Sequence, residues 1–285
     1  MNETKINQEI FNVIKSNTKD SQHVGIFIDY DNTYYCMKTY AIDITAEQYD
    51  ICQFLNEVYG MKKIRTFRAY ADFDQVGVKL KSLQEQRVQI RNVYGNGKDE
   101  RFRKNASDIE LSLDALEMYY RNENLDTYVF VTADSDMIPI MSRLMYKGKN
   151  IHLYYTGENA SQTQHIEAFC DFSCDLLKLF NVDIEKGKPE YWYNDIIAII
   201  TTWYNNPKNS GKSYGYSWLS ADISKQCGIS KSLIGITLNK MVEDSKLKIV
   251  TKGDVKAYYV VEENKIDIET PEEIKEEVAV ASEEC

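Results

Sequence analysis

Four short apolar runs alternate with helical patterns between residues 24 and 181, and this alternation constrains the fold more than any other feature of the sequence. Short runs rich in β-branched and aromatic residues are typical of strands that are buried on both faces. Strands that alternate with helices favour a parallel sheet with helices on both sides. We therefore predict an α/β fold with a Rossmann-like parallel sheet. The predicted strands are Val24–Ile28, Ile64–Ala69, Tyr128–Val131 and Ile151–Tyr155, and the predicted helices are Glu47–Tyr59, Gln75–Glu85, Ala106–Tyr120 and Ile138–Lys147.

The third of these helices has a regular apolar pattern. Its apolar residues recur at spacings of three and four, which predicts a stripe along one helix face. The residues of this stripe are Ile109, Leu113, Leu116 and Tyr120.

The chain changes character at residues 185–189, where a polar stretch containing Pro189 predicts a linker. Beyond it the sequence predicts three helices and a hairpin, which together are typical of a winged helix-turn-helix. Gly228 is placed to end the second helix, and Ser230 is placed to cap the third. We predict an α/β domain at residues 22–182, a winged helix-turn-helix domain at 190–261 and a tail at 262–285.

The acidic charge of the chain is concentrated in that tail. The whole sequence has 34 basic and 44 acidic residues, but ten of the acids and only two of the lysines lie in residues 262–285. A segment with this charge and without aromatic residues is predicted to be disordered. The rest of the chain is nearly neutral. The low overall pI therefore does not exclude a nucleic-acid partner.

Several kinds of chemistry and location are excluded by what the sequence lacks. The three histidines and six cysteines show no zinc-ligand spacing, which argues against zinc chemistry. The small number of histidines also argues against a Ser-His-Asp triad. No apolar run is long enough to span a membrane, and the N-terminus does not resemble a signal peptide. We therefore predict a cytoplasmic protein with reduced thiols and no membrane partner.

Aspartates follow three of the predicted strands. Asp29 and Asp31 follow the first, Asp72 the second, and Asp134 and Asp136 the third. A single aspartate in such a place is usually a turn or cap residue. The carboxyl ends of parallel strands share one edge, however, and carboxylates that converge there need a cation between them. Mg²⁺ or Mn²⁺ suits such hard oxygen ligands, so the pattern indicates phosphoryl chemistry.

Three blocks of the sequence, spread over about residues 22–180, resemble the signature blocks of the NYN branch of PIN-like nucleases, the LabA-like proteins. They are IFIDYDN, KNASDIELSLDALE and VFVTADSDMIPIMSRLMYKGKNIHLY. The resemblance implies a metal-dependent ribonuclease, and we expect it to act as an endonuclease on single-stranded RNA. The chain departs from the pattern at Met137, where relatives usually have Phe, and at Thr132–Ala133, where they often have Ser-Gly or Ser-Ser.

The resemblance also implies roles for individual residues. The catalytic residues would be Asp29, Asn32, Asp108, Asp134 and Asp136. Asp29, Asp108 and Asp134 would bind the metal directly, while Asp136 and Asp72 would complete the site through water or bind a second ion. Asn32 would orient Asp29 or a phosphate oxygen. A homodimer is also implied, and the C-terminal module is similar to the LOTUS-type modules found behind such domains.

A basic segment leads into the predicted site. Residues 79–104 carry a net charge of +5, with eight basic and three acidic residues. A solvated helix face and loop would explain this charge equally well. If the segment is functional, its cations would follow the backbone of single-stranded RNA. The candidate nucleic-acid-binding residues are Lys98, Arg101, Arg103 and Lys104.

Two alternatives remain open on the sequence alone. One is a catalytically silent RNA-binding adaptor, which would keep the fold and the basic segment but not cleave. The other is a haloacid-dehalogenase-like phosphatase, because Asp29, Asp31 and Thr33 fit the D-x-D-x-T start of that class. In such a phosphatase Asp29 would be the nucleophile and Asp31 the acid or base.

Overall fold

A computed structural model of the protein describes residues 6–76, 80–93, 106–252 and 255–261. Its main feature is a six-stranded sheet, formed by β1 (Val24–Asp29), β2 (Ile64–Ala71), β3 (Gln89–Asn92), β4 (Thr127–Val131), β5 (Asn150–Tyr155) and β6 (Phe172–Asp175). The strand order is β3-β2-β1-β4-β5-β6, and every neighbouring pair is parallel. This order changes direction between β1 and β4, as in Rossmann-like sheets. The predicted α/β fold with a parallel sheet is confirmed.

The central strands form where the sequence is almost continuously apolar. All six residues of β1 and all five of β4 are buried, because helices cover both faces of the sheet. The edge strands β3 and β6 were not predicted, since they are four residues long and carry polar side chains. The helices are α1 (Gln8–Asn17), α2 (Tyr30–Lys38), α3 (Ile51–Tyr59), α4 (Phe73–Val76), α5 (Leu80–Glu85), α6 (Ala106–Arg121), α7 (Ile138–Tyr146), α8 (Leu176–Leu179), α9 (Tyr193–Asn205), α10 (Tyr216–Cys227) and α11 (Lys231–Glu243).

Two apolar cores lie on opposite faces of the sheet. Alternate residues of β1 enter different cores: Ile26 and Ile28 pack with α3, and Phe27 packs with α6 and α7. This is the period-2 alternation of a strand. None of the helices in the described part of the chain is both long and apolar enough to cross a bilayer.

Some predicted helices differ from the observed ones for identifiable reasons. The pattern over residues 47–59 predicted one helix, but the Asp50 side chain accepts hydrogen bonds from the amides of Cys52 and Gln53 and starts α3 afresh. Similarly, α4 ends at Val76 and α5 begins at Leu80, where one helix was predicted. Helices α1 and α2 were not predicted.

Helix α6 lies where it was predicted, but it is rotated relative to its apolar pattern. Ile109, Leu113 and Tyr120 are 59%, 58% and 68% exposed and do not face the core, whereas Leu116 packs against it. The buried positions are Ser107, Leu111, Asp114 and Ala115. Asp114 lies on the sheet side because it forms ion pairs with arginines of β2 and β3.

The C-terminal part of the described chain contains α9, α10, α11 and an antiparallel pair, β7 (Leu247–Lys252) and β8 (Val255–Val260), around an apolar core of its own. Gly228 adopts a left-handed conformation (φ 73°) and ends α10, and the Ser230 hydroxyl oxygen accepts a hydrogen bond from the Leu233 amide at the start of α11. The assignment of these elements to a winged helix-turn-helix at 190–261 stays a prediction. The tail at 262–285 lies outside the described residues.

Candidate metal centre

Aspartates that are remote in the sequence meet at one edge of the sheet. Asp29 is the last residue of β1, and Asp134 follows the end of the neighbouring strand β4. Asp108 lies in the first turn of α6. One carboxylate oxygen each from Asp108, Asp134 and Asp136 lies within 4.8 Å of those of the other two. The cluster therefore forms at the switch point between β1 and β4, where ligands bind in sheets of this kind.

Asp29 is buried beside this cluster, and two hydrogen bonds fix its side chain. Its side chain is almost fully buried, with 2% of the residue exposed. Its Oδ1 accepts a hydrogen bond from the Asn32 amide at 3.2 Å, which caps α2, and its Oδ2 accepts one from the Thr132 hydroxyl at 3.0 Å. Burial, followed by the nearby carboxylate of Asp108, raises the pKa of Asp29 well above its usual value.

The loops that follow β1 and β4 are joined by side-chain hydrogen bonds. The Thr132 hydroxyl oxygen, which donates to Asp29, also accepts a hydrogen bond from the Asp134 amide at 3.0 Å. The Asn32 side-chain oxygen accepts a hydrogen bond from the Ala133 amide at 2.9 Å. Asn32 thus orients Asp29 through its main chain, while its side chain fixes the opposite loop. Thr132 was noted in the sequence only as a departure from a family pattern.

Replacing Thr132 with valine is expected to weaken Mn²⁺ binding by roughly 10- to 100-fold, because the hydroxyl orients one carboxylate and the main chain of another. Isothermal titration of the metal-free protein with Mn²⁺ measures this. Thr132→Ser is the matched control, since it keeps the hydroxyl, and it should bind Mn²⁺ like the natural protein. Equal loss of affinity in both variants would show that the hydroxyl is not the cause.

Among the described residues, the electrostatics of the cluster are those of carboxylates that repel one another. Burial and the carboxylates of Asp134 and Asp136 raise the pKa of Asp108 to about 6. Within residues 6–76, 80–93 and 106–252, no ion pair involves the cluster aspartates. Carboxylate oxygens are the preferred ligands of Mg²⁺ and Mn²⁺, and a divalent ion would relieve their repulsion. The residues present therefore fit such an ion.

Replacing Asp108 with asparagine is expected to make the stability of the metal-free protein less dependent on pH between about pH 4 and pH 6. The pKa of Asp108 is about 6 in the folded protein and ordinarily 3.8, so the folded state binds this proton more tightly. The free energy of unfolding therefore falls as the pH rises through this interval. Urea unfolding in EDTA at several pH values measures the slope. An unchanged slope in the variant would contradict the assignment.

Asp31 lies beside the cluster, although no metal role was predicted for it. Its Oδ2 accepts hydrogen bonds from the Asp72 amide at 3.0 Å and from the Ser107 hydroxyl at 3.4 Å, whereas its Oδ1 is buried without a partner. Burial raises the pKa of Asp31. Asp72 is not one of the three aspartates within 4.8 Å, and its observed link to the site is this main-chain bond.

A residue that supports the site and that the sequence did not reveal is Asp114 on α6. Its Oδ2 lies 2.7 Å from Arg68 Nη1 and 3.3 Å from Arg91 Nε, and it accepts a hydrogen bond of 2.7 Å from the Tyr70 hydroxyl. These contacts fix α6, and with it Asp108, against β2 and β3. No sequence signal indicated them, because the partners are 23 to 46 residues away in the chain. The predicted nucleic-acid-binding residues Lys98, Arg101, Arg103 and Lys104 lie outside the described residues.

Comparison with known proteins identifies one family. The family model described as NYN domain matches residues 23–177, which is more than half of the chain. A crystal structure of a Vibrio parahaemolyticus protein of unknown function is similar, with 21% identity and a TM-score of 0.44, over 55% of this chain and 94% of that chain. A search of the curated proteins finds no match.

Proposed function

Because this chain belongs to the NYN domain family, we propose that it is a metal-dependent ribonuclease that hydrolyses phosphodiester bonds within single-stranded RNA. Proteins of this family are generally nucleases. The observation that carries the proposal is the convergence of Asp108, Asp134 and Asp136, with buried Asp29 behind them, at the switch point of the sheet. Such a cluster is suited to phosphoryl transfer rather than to chemistry that needs a histidine or a cysteine.

The cluster aspartates are the residues that would hold Mg²⁺ or Mn²⁺. A bound ion would supply activation of water and neutralisation of charge on phosphoryl oxygens. The chain itself supplies positioning: the Thr132 hydroxyl holds Asp29 Oδ2, and the Thr132 oxygen holds the Asp134 amide. The Asn32 side chain keeps the β4 loop against α2 through the Ala133 amide. A site fixed in advance does not have to reorganise when the phosphate arrives.

The positive charge of the basic segment at residues 79–104 supports RNA as the substrate. Lys98, Arg101, Arg103 and Lys104 belong to the basic segment that precedes Asp108 in the sequence, and cations beside a phosphoryl-transfer site would follow the RNA backbone. The elements after Pro189 would act as a winged helix-turn-helix that assists substrate selection. Exposed lysines on α11 and on both strands of the β7–β8 pair support this role; they include Lys231, Lys248 and Lys256.

The phosphatase alternative gains no support from the geometry. A nucleophilic aspartate must offer a free oxygen to the phosphorus atom of the substrate. Asp29 is almost fully buried, which leaves its carboxylate little access to an incoming phosphate. The family match is to nucleases rather than to phosphatases.

The proposed activity is tested with single-stranded RNA labelled at either end, incubated with the full chain and Mn²⁺ or Mg²⁺. We expect internal cuts that EDTA abolishes and that excess metal restores. Single-stranded DNA of the same sequence is the matched control, which tests whether cleavage requires ribose. Binding of RNA without cleavage at any ion concentration would instead identify an RNA-binding adaptor, and the proposed activity would be wrong.

A further inference from the structure

A groove with two aromatic rings and two lysines lies beside the C-terminal end of α6, and we call it the tyrosine–lysine groove. It has a volume of about 340 Å³ and is lined by Tyr119, Tyr120, Glu123, Lys147 and Lys149. The tyrosines belong to the last turn of α6, and the other three residues lie in the turns that follow α6 and α7. None of these residues belongs to the metal centre.

The groove is remote from the metal centre. Lys149 immediately precedes β5, so the groove lies at the amino ends of the strands, whereas Asp134 follows the carboxyl end of β4. Asp108 and Tyr120 are 12 residues apart on α6, which corresponds to about 18 Å along the helix axis. A ligand that occupies both places must therefore be long.

A tight turn brings both lysines to the same ring. Gly148 has a φ of 73°, in the left-handed region that favours glycine, and it directly follows the end of α7. Its amide and that of Lys149 donate hydrogen bonds to carbonyl groups in the last turn of α7, at 2.8 and 3.1 Å. Lys147 Nζ then lies 5.9 Å from the centroid of the Tyr119 ring, and Lys149 Nζ lies 5.5 Å from it.

The positive charge of this pair is not neutralised in the part of the chain that the structure describes. No carboxylate there lies within 4.0 Å of either ammonium group. Lys149 Nζ donates instead to the main-chain carbonyl of Glu123 at 3.0 Å, and an ammonium group has further N–H donors to offer. Two such cations beside each other suit an anion with several acceptor oxygens, such as a phosphate.

The tyrosine pair supplies a surface for a base next to these cations. The rings of Tyr119 and Tyr120 meet edge to face, with centroids 5.1 Å apart and planes at 75°. Tyr119 is partly buried against the core, which fixes its position, and Tyr120 is more than half exposed. Exposed aromatic rings interleaved with cations are the pattern that binds single-stranded nucleic acid.

We propose that the tyrosine–lysine groove is a second RNA-binding site, in which a base stacks on Tyr120 and the adjoining phosphates lie against Lys147 and Lys149. The separation of about 18 Å from Asp108 corresponds to roughly five nucleotides at ~3.4 Å per nucleotide, so one strand reaches both sites. An acidic peptide would use the lysines but not the ring, because the face of an aromatic ring repels a carboxylate. The proposal rests on RNA as the ligand of the proposed function, but not on cleavage.

Fluorescence anisotropy of a labelled single-stranded RNA of about 15 nucleotides, with the full chain in EDTA, tests the lysines without cleavage. The double variant Lys147→Gln, Lys149→Gln should reduce the slope of log Kd against log salt concentration by about 1.4, since each lost phosphate contact accounts for about 0.7. The matched control is Lys15→Gln, Lys19→Gln, which removes the same charge. Lys15 also lies over a ring, that of Phe11 at 5.1 Å, but outside the groove, and this control should leave the slope unchanged.

Variants of Tyr120 and Glu123 test the stacking and the sign of the charge in the same assay. Tyr120→Ala should raise the Kd for RNA by about tenfold, because a stacked base loses its platform. Tyr120→Phe keeps the ring and should bind RNA like the natural chain. Glu123→Gln removes the carboxylate that lines the groove and should lower the Kd by about threefold.

Three results would overturn the proposal. The first is a natural chain whose RNA affinity is absent or is unaffected by the double lysine variant and by Tyr120→Ala; cleavage that persists would leave the proposed ribonuclease standing. The second is adenosine monophosphate that binds the groove as tightly as RNA does, which would make it a site for free nucleotides. The third is a synthetic peptide of residues 262–285 that binds through the two lysines while RNA binding does not depend on them, which would assign the groove to an acidic peptide.

Discussion

Replacing Asp134 with asparagine is expected to lower the rate of RNA cleavage by more than about 100-fold. Loss of a residue that only supports a metal ligand already costs 10- to 100-fold, and Asp134 is one of the three clustered carboxylates themselves. Asparagine keeps the size of the side chain but removes the negative charge. Initial rates with end-labelled RNA at saturating Mn²⁺ measure the effect.

The control for this variant is Asp20→Asn, which changes an exposed aspartate outside the cluster and should leave the rate unchanged. RNA binding by Asp134→Asn should be retained in EDTA, because the substitution reduces negative charge beside the phosphates. Cleavage at a rate within a few-fold of the natural chain would contradict the proposed role of the cluster.

Replacing Asp114 with alanine is expected to reduce the free energy of unfolding by about 3 kcal/mol or more. The substitution leaves the guanidinium groups of Arg68 and Arg91 near the sheet without their carboxylate, and it leaves the Tyr70 hydroxyl without its acceptor. Removing one partner of a buried charged network is costly, because the remaining charges stay desolvated. Urea unfolding of the metal-free protein measures the change.

Glu117→Gln is the matched control for Asp114→Ala, because it breaks an ion pair of similar length on the solvent side of the same helix. An exposed pair of this kind contributes at most about 1 kcal/mol. Similar losses of stability in the two variants would show that the Asp114 network does not fix α6 on the sheet.

The central part of the fold follows directly from the sequence, because β1 and β4 are almost continuously apolar and are buried on both faces. The edge strands do not follow from it, because a sequence such as QIRN in β3 resembles a loop until β2 is known to pair with it. The orientation of α6 was not predictable either. Its spacing marks one face as apolar, and only the three-dimensional partners of Asp114 show that the other face is buried.

The convergence of Asp29, Asp134 and Asp136 could be expected because parallel strands bring their carboxyl ends to one edge, so aspartates after different strands come near each other. Asp108 was implied only by the family resemblance. The contributions of Thr132, Asp31 and Asp114 could not be located in this way. Each depends on hydrogen bonds or ion pairs to residues far away in the chain, and these leave no spacing pattern in one sequence. The roles given to the basic residues from Lys98 to Lys104 stay predictions.

The most direct test of this account is an anomalous diffraction measurement at the manganese absorption edge on crystals of the protein soaked in Mn²⁺. We expect a peak between Asp108, Asp134 and Asp136, with carboxylate oxygens at about 2.0–2.6 Å from its centre. An absent peak, or these carboxylates paired with lysine or arginine side chains in place of an ion, would contradict the claim that the cluster is a metal site.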